Sequence, residues 1–476
     1  MANVKTAKKD RVPLGQKAAF GAGHLVLNLL PGALGVFMFF LLTVFGMDPL
    51  QAGILGGLPR IFDAITDPVM GFISDNTSSK YGRRRPYIFI GAILSAIFFV
   101  LLWQMDETNS ATYNFWYFLI MSLVFLIGNT MFATPLVGLG FEMTTDYNER
   151  TRLMAFSQTV GLVAWVIVPW FWPMIPNESL FESQAIGIRT LALYVGLGCL
   201  LLGILPAIFC RGIDAGNMAD RKKLTLKSVF SNLKDLVSSI GDAIKNKPFM
   251  KLCGATFLVF NGYQIVASFS FFIIVFYLFN GNYGATGTWP AWFGSVGALV
   301  SAFFVIPIVS KMATMWGKRT AFIVATAISI VGYVLKWWTF TPDNPWLMFI
   351  PIPLMSFGLG SLFTLMMSMT ADVCDLDELV NGMPRKEGTF GALYWWVVKL
   401  GQGLALVFGG LVLQLIGFDG GLAAQSEETL VSLRIADIVF PVVTAALAIW
   451  VMWKYSLSEE RAKEIKIQLE ERRGVL

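Results

Sequence analysis

The stretch GILGGLPRIFDAITDPVMGFIS, residues 53–74, has the length and apolar character of a membrane span, yet Arg60, Asp63 and Asp67 lie near its middle. A charged side chain at that depth costs roughly 3 kcal/mol or more unless it is paired, hydrated or functional. On a helix Asp63 and Asp67 are one turn apart and share a face, and Arg60 lies three residues before Asp63 on the same stripe. Two carboxylates beside the Thr66 hydroxyl and backbone oxygens make a hard oxygen site suited to Na⁺, or an acceptor for H⁺. Pro68 cannot donate to the helix ladder and so releases a carbonyl nearby. An Arg60–Asp63 pair that only locks helices together would account for one carboxylate and leave the other unexplained.

The rest of the chain provides the same setting. Its 476 residues are 55% hydrophobic and 14% charged, with a mean hydropathy of +0.64. Long apolar runs recur without the alternation of barrel strands, so helices are the expected spanning elements. The reading is an all-α integral membrane protein with transmembrane helices near 17–46, 48–75, 86–105, 112–141, 151–176 and 188–210, then 248–281, 285–310, 319–339, 345–371, 388–417 and 430–455. That makes twelve helices in two bundles of six. The polar, basic start of the chain has no apolar core with a cleavage site and reads as no removable signal. Cys199, Cys210, Cys253 and Cys374 are scattered without metal-ligand spacing and read as small packing residues.

Basic residues set the expected orientation. Of the 36 Lys and Arg, only Arg189 and Arg434 are read into loops on the opposite side and Arg60, Lys336 and Lys399 into spans; all others fall in loops on one side of the predicted membrane or in the terminal segments. Such asymmetry places both termini in the cytoplasm. The net charge of +5 is then a topology signal and not a nucleic-acid footprint. The expected domains are a six-helix bundle at 1–210, a cytoplasmic connector at 211–247, a second bundle at 248–456 and a cytoplasmic tail at 457–476. In the connector, Phe230, Leu233, Val237, Ile240 and Ile244 step by three and four, as on an amphipathic helix lying on the membrane surface. Connector and tail are otherwise read as solvated.

YGRRRPYIF at 81–89 and WGKRTAFIV at 316–324 are the same basic turn 235 residues apart, each between the second and third helix of a half. Two such halves in parallel repeat are the plan of major facilitator transporters. Further polar groups fall at depth. His24, the sole histidine, and Asn28 are one turn apart on the first span; His24 reads as a proton relay, a substrate hydrogen-bonder or a satisfied packing residue. Trp395, Lys399 and Gln402 share a face of the eleventh span. Lys399 is a candidate counter-ion for Asp63 or Asp67, a substrate contact or one half of a structural pair. Lys336, close to the end of its span beside Trp337 and Trp338, is expected to snorkel to the interface.

RIFDAITDPVMGFISDNTSSKYGRRRPYIFIG (60–91), LGFEMTTDYNERTRL (139–153) and ADVCDLDELVNGMPRKEGTFGALYWWVVKLG (371–401) resemble the glycoside–pentoside–hexuronide:cation symporters, the melibiose permease-like family of the major facilitator superfamily. The resemblance implies that Asp63 and Asp67 bind the coupling cation and that Lys399 lies close to it. It further implies that Glu142, Asp146, Glu149, Arg150, Asp372, Arg385 and Glu387, with the basic turn at Arg83 and Arg84, form cytoplasmic gate contacts. It is incomplete at Ala133, Val137 and Gln158, which stand where melibiose permease has an Asp, a Trp and an Arg. Those departures point to a different substrate and make H⁺ as plausible as Na⁺. The expected activity is cation-coupled import of a sugar, glycoside or uronide by alternating access, in a monomer of the bacterial inner membrane. The expected substrate surface lies between the halves and takes in His24, Asn28, Thr130, Thr134 and Gln158 with Asn261, Tyr263, Gln264, Trp395, Lys399 and Gln402. A lysolipid carrier of the same superfamily is the alternative. No cofactor is expected beyond the coupling ion, and one histidine without a nucleophile motif argues against an enzyme.

Overall fold

The computed structural model describes residues 11–77, 79–144, 147–212, 241, 244–382 and 387–472. The long helices are α1 (Leu14–Thr43), α2 (Pro49–Asn76), α3 (Arg85–Leu102), α4 (Ala111–Glu142), α5 (Tyr147–Ile167) and α6 (Gln184–Phe209). They continue with α7 (Lys247–Leu278), α8 (Tyr283–Trp316), α9 (Lys318–Thr339), α10 (Pro345–Asn381), α11 (Glu387–Leu415), α12 (Glu427–Trp453) and a polar α13 (Glu459–Arg472). Among the described residues, 11 helices are long and apolar enough to cross a membrane. The long helix missing from that group is α2, because the charges of the opening stretch interrupt its apolar window. It runs unbroken through Pro59 and Pro68.

Starts and stops follow local chemistry. Asp48 and Gln51 form a capping box at the head of α2, and Ser110, Asn246 and Ser426 accept backbone N–H bonds at the heads of α4, α7 and α12. Gly82 and Gly317 take φ values of +92° and +78° in the two basic turns, a backbone region that strains any residue with a Cβ.

The chain divides into two compact units, one formed by residues 1–233 with Pro290–Ser295 and the other by residues 234–289 and 296–476. In unit 1, α1 packs on α5 and α6, α3 packs on α4 and α6, and α2 packs on α4. In unit 2, α7 packs on α11 and α12, α9 packs on α10 and α12, and α8 packs on α10. Each of these five pairings in unit 1 has its counterpart in unit 2 when six is added to each helix number, so the repeat seen in the basic turns extends to much of the helix packing; unit 2 adds a packing of α8 on α9 that α2 and α3 do not match. Close approach of α3 to α4 depends on Gly91, where a Cβ would lie 2.6 Å from the Met131 carbonyl carbon. The same role in α9 against α10 falls to Gly332, where a Cβ would lie 2.6 Å from the Met355 nitrogen.

Two expectations need correction here. The tail is not simply solvated: α13 lies against α10 and buries Ile465 and Leu469, which are 0% and 3% exposed, in the core of unit 2. Its apolar residues recur four apart and form a stripe that charge-rich composition hides. Arg189 and Arg434 are not in loops but within α6 and α12. Phe230, Leu233, Val237 and Ile240 of the connector lie outside the described residues, and Ile244 is exposed. The four cysteines are buried and not disulfide-bonded.

Candidate cation site, polar surfaces and basic turns

The two aspartates of α2 meet two threonines of α4. Because α2 and α4 run side by side, pairs spaced by one turn on each helix come into register as two rungs. On the first, Thr130 Oγ1 donates to Asp63 Oδ1 at 2.8 Å, and Thr66 Oγ1 lies 3.2 Å from Thr130 Oγ1 and 3.2 Å from the Asp63 carbonyl oxygen. On the second, Thr134 Oγ1 lies 3.3 Å from Asp67 Oδ1. Asp63 is 4% exposed and Thr130 is buried, while Thr66, Asp67 and Thr134 are half-buried. Arg60 attracts Asp63 electrostatically. Two carboxylates and three hydroxyls thus gather on one seam, a set of hard oxygen donors. Thr130 and Thr134 were expected on the substrate surface; the structure sets their hydroxyls on the aspartates.

The other polar candidates fall into two groups, one in each unit. In unit 1, His24 is buried with its ring 4.7 Å from that of Phe20, and neither imidazole nitrogen has a partner among the described residues. Asn28 Nδ2 donates 2.8 Å to the His24 carbonyl, and its Oδ1 accepts from Trp165 Nε1 at 3.2 Å. Gly161 of α5 keeps this corner open, since a Cβ there would lie 2.9 Å from Asn28 Nδ2. Trp165 was missed by sequence reasoning because it sits in an apolar run with no charge to mark it. Gln158 and Val137 are exposed.

In unit 2, Trp395 stacks on Phe363 with ring centroids 6.4 Å apart and remains 43% exposed. Lys399 and Gln402 follow it on α11 and are half-buried. Asn261 is buried, and its amide turns back to the Phe257 carbonyl at 3.0 Å. Tyr263 and Gln264 beside it on α7 are half-buried.

The basic turns are held in the same way in both units. Arg83 pairs with Glu142, Arg84 lies 3.0 Å from Glu142 and 2.5 Å from Asp75, and Arg85 donates to the carbonyls of Ala207 and Ile208 at the end of α6. In unit 2, Lys318 pairs with Asp372 at 2.6 Å, and Arg319 donates to the carbonyls of Met452 and Trp453 at the end of α12. Cations at helix C-termini satisfy orphan carbonyls and complement the helix dipole. Glu149 is 2% exposed, pairs with Lys17 at 2.6 Å and accepts the Val12 N–H at 3.1 Å. Burial alone would push its carboxyl up, but these donors and Arg152 outweigh it and hold it below the usual carboxylate range. Arg150 donates to the Thr144 carbonyl at 3.1 Å. Asp146 and Arg385 lie outside the described residues, as does the side chain of Glu387.

One expectation fails. Lys336 does not snorkel: it is 2% exposed and forms an ion pair with Asp437, itself 1% exposed. Ser270 of α7 and Asp437 of α12 close over it, so its ammonium finds a carboxylate nearer than water. Asp437 was overlooked because SLRIADIVFPVV reads as an ordinary apolar run with one acid.

Comparison with known proteins agrees with this architecture. The family model described as MFS/sugar transport protein matches residues 19–459. A glucuronide carrier protein homolog of Escherichia coli is 24% identical over 93% of this chain and 92% of its own. A mouse sodium-dependent lysophosphatidylcholine symporter is also 24% identical, over 97% of this chain and 89% of its own. Among solved structures, a bacterial homolog of the human lysosomal transporter Spinster superposes with a TM-score of 0.67 at 17% identity, covering 93% of this chain and 98% of that one. With its model matched over nearly the whole length, the chain belongs to the MFS/sugar transport protein family, multi-pass carriers of the plasma membrane.

Proposed function

We propose that the chain is a cation-coupled symporter for a sugar-type solute, working by alternating access, with the coupling ion held at the seam of α2 and α4. The single observation that carries this reading is the buried Asp63 carboxylate, hydrogen-bonded to Thr130 and continued by Thr66, Asp67 and Thr134. Two carboxylates one turn apart with three hydroxyls around them are hard oxygen donors at which a monovalent cation or a proton can bind, with Arg60 in electrostatic reach of Asp63. Each positive charge moving inward across an inside-negative membrane releases about 2.3 kcal/mol per 100 mV, enough to drive an uncharged sugar uphill. The relative named for glucuronide supports a sugar acid or glycoside as the solute. His24, Asn28 and Trp165 in unit 1, and Trp395 with Lys399 and Gln402 in unit 2, supply the amide, imidazole, ammonium and aromatic surfaces that such a solute uses.

The test is uptake into proteoliposomes of labelled sugars, glycosides and uronates under a Na⁺ gradient and then a pH gradient, with and without membrane potential. Accumulation driven by one gradient names both ion and solute. Normal concentrative uptake by both Asp63→Asn and Asp67→Asn would refute the cation site.

A second reading, lysolipid transport, draws on a groove of about 390 Å³ in unit 2. It is lined by apolar side chains of α7, α11 and α12, among them Phe269, Val412, Val439 and Phe440, and would suit an acyl chain. Accumulation of a lysolipid and of no sugar in the same assay would select it.

A further inference from the structure

The Lys336–Asp437 pair lies in unit 2 and takes no part in the α2–α4 seam of unit 1. It joins α9 to α12, with α7 closing the third side. Lys336 Nζ also lies 3.5 Å from Ser270 Oγ of α7 and 4.8 Å from the centroid of the Phe340 ring. Asp437 Oδ2 meets the ammonium, whereas Oδ1 is buried with no hydrogen-bond partner among the described residues. One turn before Asp437 on α12 is Arg434, half-buried and within electrostatic reach of it. Its guanidinium donates to Tyr277 Oη at 2.7 Å and to the Trp337 carbonyl at 2.5 Å, and it lies over both aromatic rings. Tyr277 belongs to a π-helical turn of α7, Ile273–Leu278, which sets its hydroxyl toward α12. Tyr333, one turn before Lys336 and 2% exposed, interacts electrostatically with Asp437 and with Tyr263 of α7. Lys336, Asp437, Arg434, Tyr277, Tyr333 and Tyr263 are thus the titratable and charged groups that face one another here from α7, α9 and α12.

The charge count is uneven. Two cations and one carboxylate leave the cluster at one positive charge when all three are ionised. In a site this dry, a net charge is far more costly than a neutral pair. Arg434 holds its protons across the accessible pH range because its guanidinium is delocalised. The group that can release the charge is therefore Lys336. When its Nζ loses a proton to water, the neutral amine still donates to Asp437, and Arg434 becomes the counter-ion of the carboxylate. The cluster then carries no net charge.

We propose that Lys336, Asp437 and Arg434 form a proton-exchange site in unit 2, separate from the Asp63 and Asp67 seam, with Lys336 as the group that carries the proton. A pair serving only as a helix clamp would keep one protonation state over the working range. The exchange site instead makes transport sensitive to pH through unit 2 even when the coupling ion at α2 is Na⁺.

Proton release can be counted without knowing the substrate. Purified full-length protein in detergent is shifted from about pH 6 to about pH 10 with a pH-sensitive dye as reporter, a range that brackets displacement of a lysine from its ordinary value. The wild type is expected to release one more proton per molecule than the double variant K336M/D437L. That variant replaces a buried pair by apolar side chains of similar volume, a change that such sites tolerate well. Lys336→Arg, which keeps the charge and cannot release it, is expected to show no extra proton release, like the double variant. Equal counts in the wild type and both variants would overturn the proposal. So would a Lys336→Arg protein that releases the proton and keeps the wild-type pH profile of substrate exchange. Because Asp63→Asn leaves this cluster untouched, it is expected to keep the extra proton; its loss there would assign the proton to the cation seam.

Discussion

Each unit buries an aspartate in the membrane-spanning part of the chain, and the two are treated in opposite ways. Asp63 meets hydroxyls, the Thr130 Oγ1 at 2.8 Å first among them. Asp437 meets the ammonium of Lys336. Asp63 sits among hydroxyl oxygens with Arg60 in electrostatic reach, which suits the exchangeable cation proposed above; Asp437 touches an ammonium directly, which suits the proton exchange proposed for unit 2. The surrounding scaffolds are alike, since the main helix pairings of unit 1 recur in unit 2 with every helix number raised by six. On similar frames, the two buried acids, one on α2 and one on α12, therefore differ in the partner each has been given.

That contrast can be broken at its strong end first. Asp63→Asn removes a charged ligand from the α2 seam and is expected to abolish cation-driven accumulation, while exchange of substrate down its gradient continues; transport under imposed gradients reads both. Thr130→Val deletes one hydrogen bond to a charged group, worth about 1.5–3 kcal/mol, and should weaken cation activation by roughly tenfold to a hundredfold. Thr130→Ser should restore it, and a Val variant with unchanged cation activation would leave Thr130 a packing residue. The equivalence of the frames is sharpened by Gly91→Ala and Gly332→Ala. Each drives a methyl into a facing backbone and should cost about 1–3 kcal/mol, seen as a lowered thermal midpoint in detergent. A loss confined to one of the two would show that α3–α4 and α9–α10 are not packed alike.

The smallest effect is at Glu149. Its carboxyl is held below the usual range in the folded protein, so it contributes stability above the unfolded carboxylate pKa. That contribution is lost as pH falls through the lower folded value. Thermal stability of the wild type should fall over that acid window by about 1 kcal/mol more than that of Glu149→Gln, since Lys17 keeps some exposure to water.

The helical membrane class, the long helices and the two-fold repeat were legible because apolar length and basic punctuation are one-dimensional signals. The second helix was legible for the opposite reason, its three misplaced charges. Asp63 and Asp67 declared themselves by i, i+4 spacing. Thr130 and Thr134 on α4 stood out as polar groups at depth but not as partners of the aspartates, because a hydroxyl's partner is unknown until the facing helix is. Lys336 was misread for a related reason: three residues from a helix end, a lysine has water within reach unless neighbouring helices close over it. Trp165 and the buried stripe of α13 were invisible for want of the surfaces they meet.

What the sequence by itself determined is where the chain must be helical and which residues pay too much to be idle at depth, since both follow from hydropathy and helical period alone. What only the tertiary structure decided is which partner each buried charge receives. That choice rests on side chains brought together from positions 67 residues apart for Asp63 and Thr130, and between α9 and α12 for Lys336 and Asp437. Pairing energy at a buried site depends on distance and dehydration, and neither is written along the chain.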